Sequence, residues 1–287
     1  MRSVDIVKSV LITGCSSGFG LSLTKALLKE NWRVIATARH PETSSFLQEL
    51  NHPLLTILKL DVTKKTDLEE IQHYITNELQ GHLDCLINNA GYGLLGPFEE
   101  LTEQQIREQM EVNLFGVIFL TKICLPALRK AQGRIINISS LLGYLVFPLQ
   151  SLYVTSKFAL EGLSETLHYE LAPHNVQVTL LEPGGHNTRF GANVVSSQTE
   201  IDDVTYHLQK NNFIRFRKKL TQRKSNSPEK LAECVIKLLN KKTMPVRKRV
   251  GGDAEFIYLL KRILPDAMFN YLLTIIYKRI FLTSHKK

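Results

Sequence analysis

Val10-Leu11-Ile12-Thr13-Gly14-Cys15-Ser16-Ser17-Gly18-Phe19-Gly20 decides how this chain is read. An apolar run, Ser9-Val10-Leu11-Ile12, breaks into a turn with glycines at 14, 18 and 20, and a stretch of helical periodicity, Leu21–Leu28, follows at once. Val10–Thr13 is therefore read as a buried strand that feeds a helix. Glycines so spaced allow a tight turn, close backbone approach to a pyrophosphate, and close packing of helix on strand. The helix start adds unpaired N–H groups and a partial positive charge, which suit phosphate. Three glycines alone also fit an ordinary turn; the strand before and the helix after favour the phosphate cradle.

Outward from this unit the pattern repeats. Apolar runs at Arg33–Thr37, Leu55–Leu60, Leu83–Ile87, Arg134–Ile138, Val176–Leu181 and Val246–Val250 read as strands. Between them, helical stretches fall near Thr43–Leu50, Leu68–Leu79, Leu101–Met110, Asn113–Lys130, Leu152–Leu171 and Pro228–Leu239. Continuous apolar strands alternating with helices predict an α/β fold: a single Rossmann-type, doubly wound parallel sheet of about seven strands with helices on both faces. Such sheets bind ligands at the carboxyl ends of their strands. At 287 residues one dinucleotide-binding domain over 1–287 is expected. Residues 186–227 lose the periodicity just after a strand end and read as a substrate lid. Residues 253–287 read as a C-terminal helical extension.

The formal charge of +9 conceals an asymmetry. Residues 207–287 carry 20 Lys and Arg against 5 Asp and Glu, whereas residues 1–206 carry 16 against 22. A nucleic-acid-binding core is disfavoured, and a local basic surface facing an anionic phosphate or an acidic membrane stays open. Cys15, Cys85, Cys124 and Cys234 show no paired or metal-like spacing, which predicts reduced thiols and a cytoplasmic protein. No stretch approaches the roughly 20 apolar residues of a membrane span. Ala267–Tyr277, between Pro265 and Lys278-Arg279, reads as a helix packed on the core or a subunit interface, or as one in peripheral membrane contact.

Two further stretches carry chemistry. Tyr153 and Lys157, in Tyr153-Val154-Thr155-Ser156-Lys157, are four residues apart and share a helix face. A free Tyr titrates near ~10. An ammonium about 4 Å away is worth ~4 kcal/mol at an effective dielectric of about 20. The expectation is a phenol acidified by Lys157, able to take or give the proton of a carbon–oxygen group. The hydroxyls of Ser139-Ser140, just past a strand, can steady a substrate oxygen. Tyr206 and Lys210 repeat the spacing with no serine-bearing strand before them and are expected on a solvated helix face. No histidine has metal-like spacing, and no metal is expected. At the end of the second strand, Ala36-Thr37-Ala38-Arg39 lacks an acid that would hold ribose hydroxyls, and Arg39 can pair with a phosphate. NADP(H) is favoured over NAD(H), with Ser17 a second hydroxyl contact.

These stretches resemble the short-chain dehydrogenase/reductase family over nearly the whole chain. The matching residues are Thr13–Gly20, Asp61-Val62, Asn88-Asn89-Ala90-Gly91, Asn113, Ser140, Tyr153 with Lys157, and Pro183-Gly184 with Thr188. Thr13–Gly20 and Tyr153–Gly162 are especially similar to the 17β-hydroxysteroid dehydrogenase, retinol dehydrogenase and aldehyde reductase branches. The resemblance implies a catalytic set of Asn113, Ser140, Tyr153 and Lys157, with Ser140 chosen over Ser139 by its spacing to Tyr153. It implies cofactor contacts from Gly14, Ser16, Ser17, Gly18, Phe19 and Gly20, from Arg39, Asp61 and Val62, and from Asn88, Ala90 and Gly91. Tyr153, Lys157, Pro183, Gly184 and Thr188 complete that set. Asp61 would meet the adenine, and Lys157 the nicotinamide ribose. Asn113 would pass a proton from Lys157 through water, its plain alternative being a helix cap. Gly185 departs from the family, which commonly has a bulky residue there; His186, after it, could face the cofactor or the substrate entrance. The implied activity is NADP(H)-dependent hydride transfer to or from an apolar aldehyde, ketone, retinoid or steroid, in a homodimer or homotetramer. Two alternatives stand beside it: a nucleotide-sugar epimerase or dehydratase, disfavoured by length, and a non-catalytic cofactor-binding interaction protein, disfavoured by the intact catalytic set.

Overall fold

Ser9–Ile12 (β1) sends Val10 and Ile12 to one face and Leu11 to the other, all buried, and the neighbouring strands repeat this two-sided apolar pattern. A computed structural model describes residues 7–185, 194–221 and 227–283. The other strands are β2 (Arg33–Ala38), β3 (Leu55–Lys59), β4 (Cys85–Asn88), β5 (Leu94–Leu95) and β6 (Arg134–Ile138). They continue with β7 (Gln177–Pro183), β8 (Val195–Ser196) and β9 (Arg247–Val250). Seven form one parallel sheet in the order β3-β2-β1-β4-β6-β7-β9, with Val10 beside both Val34 and Cys85. The expected doubly wound sheet is present.

Its helices are α1 (Gly18–Lys29), α2 (Ser45–Gln48), α3 (Lys65–Asn77), α4 (Glu103–Met110) and α5 (Gly116–Ala131). After them come α6 (Ser151–Leu171), α7 (Val204–Thr221), α8 (Pro228–Leu239), α9 (Gly252–Ile263) and α10 (Asp266–Phe281). One face of the sheet meets Leu23 and Leu27 of α1 with Leu231, Val235 and Leu238 of α8. The other meets Ile71 and Ile75 of α3 with Leu120, Cys124 and Leu128 of α5. Each such buried side chain contributes ~1.5–3 kcal/mol. The chain runs from β1 outward to β3 on one side and from β4 outward to β9 on the other. The loops after β1 and β4 therefore diverge and open a crevice at the carboxyl edge of the sheet.

Three elements differ from expectation. The helices expected at 101–110 and 113–130 form one rod, Glu103–Ala131, continued through a π-helical turn at Glu111–Phe115. Thr102 and Gln105 start it with reciprocal capping bonds, and nothing between them and Asn113 breaks it. Asn113 therefore lies inside a helix and caps none. This rod is long and apolar enough to cross a membrane, with a mean hydropathy of 1.6 over its most apolar window, but half of that window is buried inside the protein. The stretch near Thr43–Leu50 shrinks to α2, after a single turn at Pro41–Thr43. Within 186–227, the described residues hold β8, paired with β5, and one long helix, α7. The extension folds α10 back on α7, where fully buried Phe281 packs with Phe147, Phe213 and Tyr277.

Candidate active site

The turn after β1 is built without room for side chains. Gly14 and Gly18 take left-handed φ of 71° and 56°, and a Cβ on Gly20 would meet the Gly14 carbonyl oxygen at 2.2 Å. Thr13 Oγ1 accepts hydrogen bonds from the Asn89 and Ala90 backbone N–H groups, 2.9 Å each, and Asn89 Nδ2 donates to the Thr13 carbonyl at 2.8 Å. These bonds fasten the glycine turn to the end of β4. Ser17, extended at φ −164°, is the N-cap of α1 and makes no side-chain bond to it. The first-turn N–H groups thus face a crevice whose bare backbone fits a dinucleotide phosphate.

That crevice is one cavity of about 1110 Å³. Gly14, Ser16, Ser17, Gly18 and Phe19 line its base, Arg39, Asp61 and Val62 one part of the wall, and Ala90 and Gly91 the end of β4. Ser140, Tyr153 and Lys157 line the same space, as do Pro183 and Gly184. Asp61 is held below the usual carboxylate range. Burial pushes it up, but hydrogen bonds from the Thr63 hydroxyl (2.7 Å) and N–H (3.1 Å), with the charges of Arg39 and Lys64, outweigh that. Two expected contacts stand elsewhere. Gly20 is spent on helix packing rather than on the cavity wall. Asn88 is buried away from it, donating to Thr121 Oγ1 (3.1 Å) and Asn137 Oδ1 (2.8 Å), so it joins β4 to α5 and β6. Thr188 and His186 lie outside the described residues.

Ser140 follows β6 and Tyr153 and Lys157 sit in the first two turns of α6, so the carboxyl end of one strand and the start of one helix bring the three together. The Ser140 hydroxyl hydrogen-bonds the phenol and accepts the Leu142 N–H at 3.1 Å. Lys157 Nζ donates to the Ile138 carbonyl at 2.8 Å and lies 5.8 Å from the Tyr153 ring centroid. The acidified phenol expected from sequence is corrected here. Burial pushes Tyr153 up to about 12, with only the Ser140 hydrogen bond opposing it. Burial likewise pulls Lys157 down to about 8, opposed by the charge of Glu161. The ammonium spends its hydrogen bond on a backbone carbonyl, and the cost of taking a phenolate out of water prevails at Tyr153. The result is a neutral phenol at neutral pH, hydrogen-bonded to Ser140.

Asn113 does not line the cavity. Its Oδ1 accepts the Tyr92 N–H (3.1 Å), and its Nδ2 donates to the Tyr92 carbonyl (2.9 Å) and to Ser156 Oγ (3.2 Å). It clamps the loop after β4 to α6 from within the π turn, a feature frequent at functional sites. The solvated face expected for Tyr206 and Lys210 is also corrected. Lys210 Nζ reaches the wholly buried Glu100 carboxylate at 3.0 and 3.2 Å and Glu200 at 3.4 Å. A buried carboxylate needs a cation, and α7 carries Lys210 to it.

Sequence reasoning missed the apolar end of the cavity. Leu94 of β5, Leu145, Phe147, Phe213 and Phe216 of α7, and Ile257 of α9 line it. Phe213 and Phe216 share a helix face by spacing, but nothing local pairs them with Phe147. Ser139 also lines the cavity beside Ser140. Among the described residues, no three His, Cys, Asp or Glu side chains are grouped so as to hold a metal.

Comparison with known proteins agrees with this geometry. The family described as short chain dehydrogenase matches residues 8–199. A 3-ketodihydrosphingosine reductase of Bacteroides thetaiotaomicron is 37% identical over 272 residues, covering 93% of this chain and 97% of the relative. Human 17-beta-hydroxysteroid dehydrogenase type 1 is 32% identical over 288 residues, covering 95% and 85%. Among solved structures, a short-chain dehydrogenase from Streptomyces avermitilis superposes with a TM-score of 0.78 at 31% identity, covering 94% of this chain and 96% of that one. ElxO, solved with NADP bound, superposes with a TM-score of 0.69 at 26% identity, covering 88% and 100%.

Proposed function

The chain belongs to the short-chain dehydrogenase/reductase family, and from that premise we propose that it is an NADP(H)-dependent oxidoreductase that reduces the carbonyl of an apolar ketone or aldehyde. One observation carries this: Ser140, Tyr153 and Lys157 line a single cavity whose one end is the glycine cradle and whose other end is aromatic and aliphatic. When bound there, a reduced nicotinamide supplies the hydride. Gly14, Ser16, Gly18 and Phe19 hold its phosphates, Asp61 and Val62 flank the adenine, and Ala90, Gly91, Pro183 and Gly184 border the remainder. Ser140 steadies the substrate oxygen as charge develops on it, and Tyr153 donates the proton that makes the alcohol. Lys157 keeps a positive charge beside that transfer and holds the ribose. Asn113 fixes the loop and helix between which these groups sit. Burial keeps Tyr153 protonated, the form that can give a proton to a carbonyl oxygen.

Arg39 on the cavity wall, next to neutral Ala38, supports a 2′-phosphate and so NADP(H). The NADP-bound neighbour points the same way. For the substrate, the aromatic end and the names of the sphingoid-base and steroid relatives support a large apolar carbonyl. In this reading 186–227 acts as the substrate lid, with β8 and α7 its described elements. The test is an NADPH-oxidation screen of the purified chain against 3-keto sphingoid bases, steroid ketones, retinal and simple aldehydes. Turnover of large apolar carbonyls, absent in Tyr153→Phe, supports the assignment. NADPH binding without oxidation of any carbonyl would favour the non-catalytic alternative, and turnover of nucleotide sugars the epimerase.

We also propose that α9 and α10 rest on an anionic membrane surface. Phe256, Leu259 and Ile263 on α9 and Met268, Tyr271 and Ile275 on α10 are exposed at helical spacing, with Arg262, Lys278 and Arg279 exposed beside them. That charge repels a second copy of the same face and suits acidic lipid. Arg262→Glu with Lys278→Glu and Arg279→Glu abolishes sedimentation with phosphatidylserine vesicles and leaves turnover of a soluble carbonyl intact. Unchanged sedimentation refutes the contact. A homodimer or homotetramer, expected from the family, is read by light scattering of the same samples.

A further inference from the structure

One helical turn beyond Lys157 on α6, Glu161 is buried in a group of charges that the mechanism above does not use. Its Oε2 accepts from Arg247 Nε at 2.9 Å, while its Oε1 has no hydrogen-bond partner from the side chains around it. Glu182 of β7, only 1% exposed, faces it within hydrogen-bond reach. Glu182 lies 3.4 Å from Arg247 Nε and 3.2 Å from Arg249 Nε, both of β9. Two carboxyls buried side by side resist carrying two charges. Burial and the charge of Glu161 push Glu182 up to about 7, against the pull of Arg249 and Arg247. A proton held on Glu182 supplies a donor between the two carboxyls.

The remaining neighbours complete the account of charge. Glu165, a further turn along α6, takes the other side of Arg247 at 2.9 Å and is half exposed. Arg249 stacks over the Tyr258 ring at 3.2 Å, and Tyr144 stands in the field of Glu182, Arg249, Asp253 and Glu161. Toward the cavity, the absence of a side chain on Gly143 is what admits Glu161. A Cβ there would meet Glu161 Oε1 at 2.8 Å and Ser139 Oγ at 2.7 Å. Glu161 therefore packs against Gly143 close to Ser139, and it is the charge that opposes the burial of the Lys157 ammonium.

We propose that Glu161 is a positioning residue for the proton chemistry of this site: its carboxylate holds Lys157 in the ammonium form, and Glu182, Arg247 and Arg249 set how much negative charge it presents. The assignment rests on the oxidoreductase reading of Tyr153 and Lys157. Within it, carbonyl reduction declines as Lys157 loses its proton, so the alkaline limb of the pH profile reports that ammonium.

The experiment is the pH dependence of kcat/KM for NADPH-dependent reduction by the full chain and three variants. Glu161→Gln moves the alkaline limb to lower pH by about one unit, the low end of the effect of an opposite charge at close range. Arg247→Gln, which removes a cation from the same cluster, moves it to higher pH. Glu165→Gln, which breaks a bond to the same Arg247 from the exposed side, leaves it in place. A limb unmoved in Glu161→Gln, with turnover unchanged or merely scaled down, overturns the proposal. Should Glu161→Gln not fold, Arg247→Gln decides, and an unmoved or lowered limb overturns it. Full activity in Tyr153→Phe would instead remove the reading of the site itself, whatever the limb does.

Discussion

Replacing Lys157 by methionine should make the protein more stable and inactive. Lys157 is buried, and its ammonium is pulled from 10.5 down to about 8. The folded chain therefore gives up this proton before the unfolded chain does. Between about pH 8 and 10.5 the unfolded state binds more protons, so wild-type stability rises with pH through that window. The penalty is full below about 8 and gone above 10.5. At pH 7 it amounts to about 3 kcal/mol, each pH unit being worth ~1.4 kcal/mol. Methionine forfeits the bond to the Ile138 carbonyl, which returns ~1 kcal/mol of that. A net gain of about 2 kcal/mol raises the melting temperature at pH 7 by roughly 5 °C. Thermal melts of both proteins from pH 7 to 10.5 test this, with the gap closing as pH rises. A variant that melts below wild type at pH 7, or a gap that does not change with pH, would refute the reasoning.

Other outcomes follow from the same geometry. Arg39→Asp should weaken NADPH binding by about 30-fold, as expected for losing a charge-assisted phosphate bond, and leave NADH binding within a few-fold, read by cofactor fluorescence titration. Lys210→Met strands the buried Glu100 carboxylate. It should cost about 3 kcal/mol in denaturant unfolding and raise KM for the apolar substrate more than it lowers kcat, because α7 carries Phe213 and Phe216. Ser140→Ala should lower kcat by about 10²-fold with little change in NADPH affinity, measured by steady-state kinetics and titration.

The layout of the sheet was legible because each strand carries its own signal. Val10-Leu11-Ile12 and its counterparts are apolar on both faces, which only a covered parallel sheet explains. The glycine turn was legible for the same local reason, since left-handed φ at Gly14 and Gly18 is written in the residue type. What escaped depends on distant partners. Lys210 looked solvated because Glu100 lies 110 residues away in the chain. The aromatic wall brings Phe147 to Phe213 and Phe216 and is backed by Phe281, from three parts of the sequence. The helix cap, the plain alternative for Asn113, stayed open because a π turn has no sequence mark that separates it from a helix start. The phenol was expected to be acidic because spacing reveals Lys157 but hides the burial that outweighs it. Glu161 and Glu182 are single acids in apolar runs, unremarkable until β7 and α6 are packed together.

The central claim is that Tyr153 donates the proton while a nicotinamide held by the glycine cradle gives its hydride to a carbonyl carbon. The direct test is a single-turnover reaction with NADPH carrying deuterium at the transferable position, followed by mass spectrometry of the alcohol. Wild-type protein should place the label on the carbinol carbon, and Tyr153→Phe, still binding NADPH, should do so about 10³-fold more slowly. Equal labelling rates in the two proteins, or no label in the product, would contradict it.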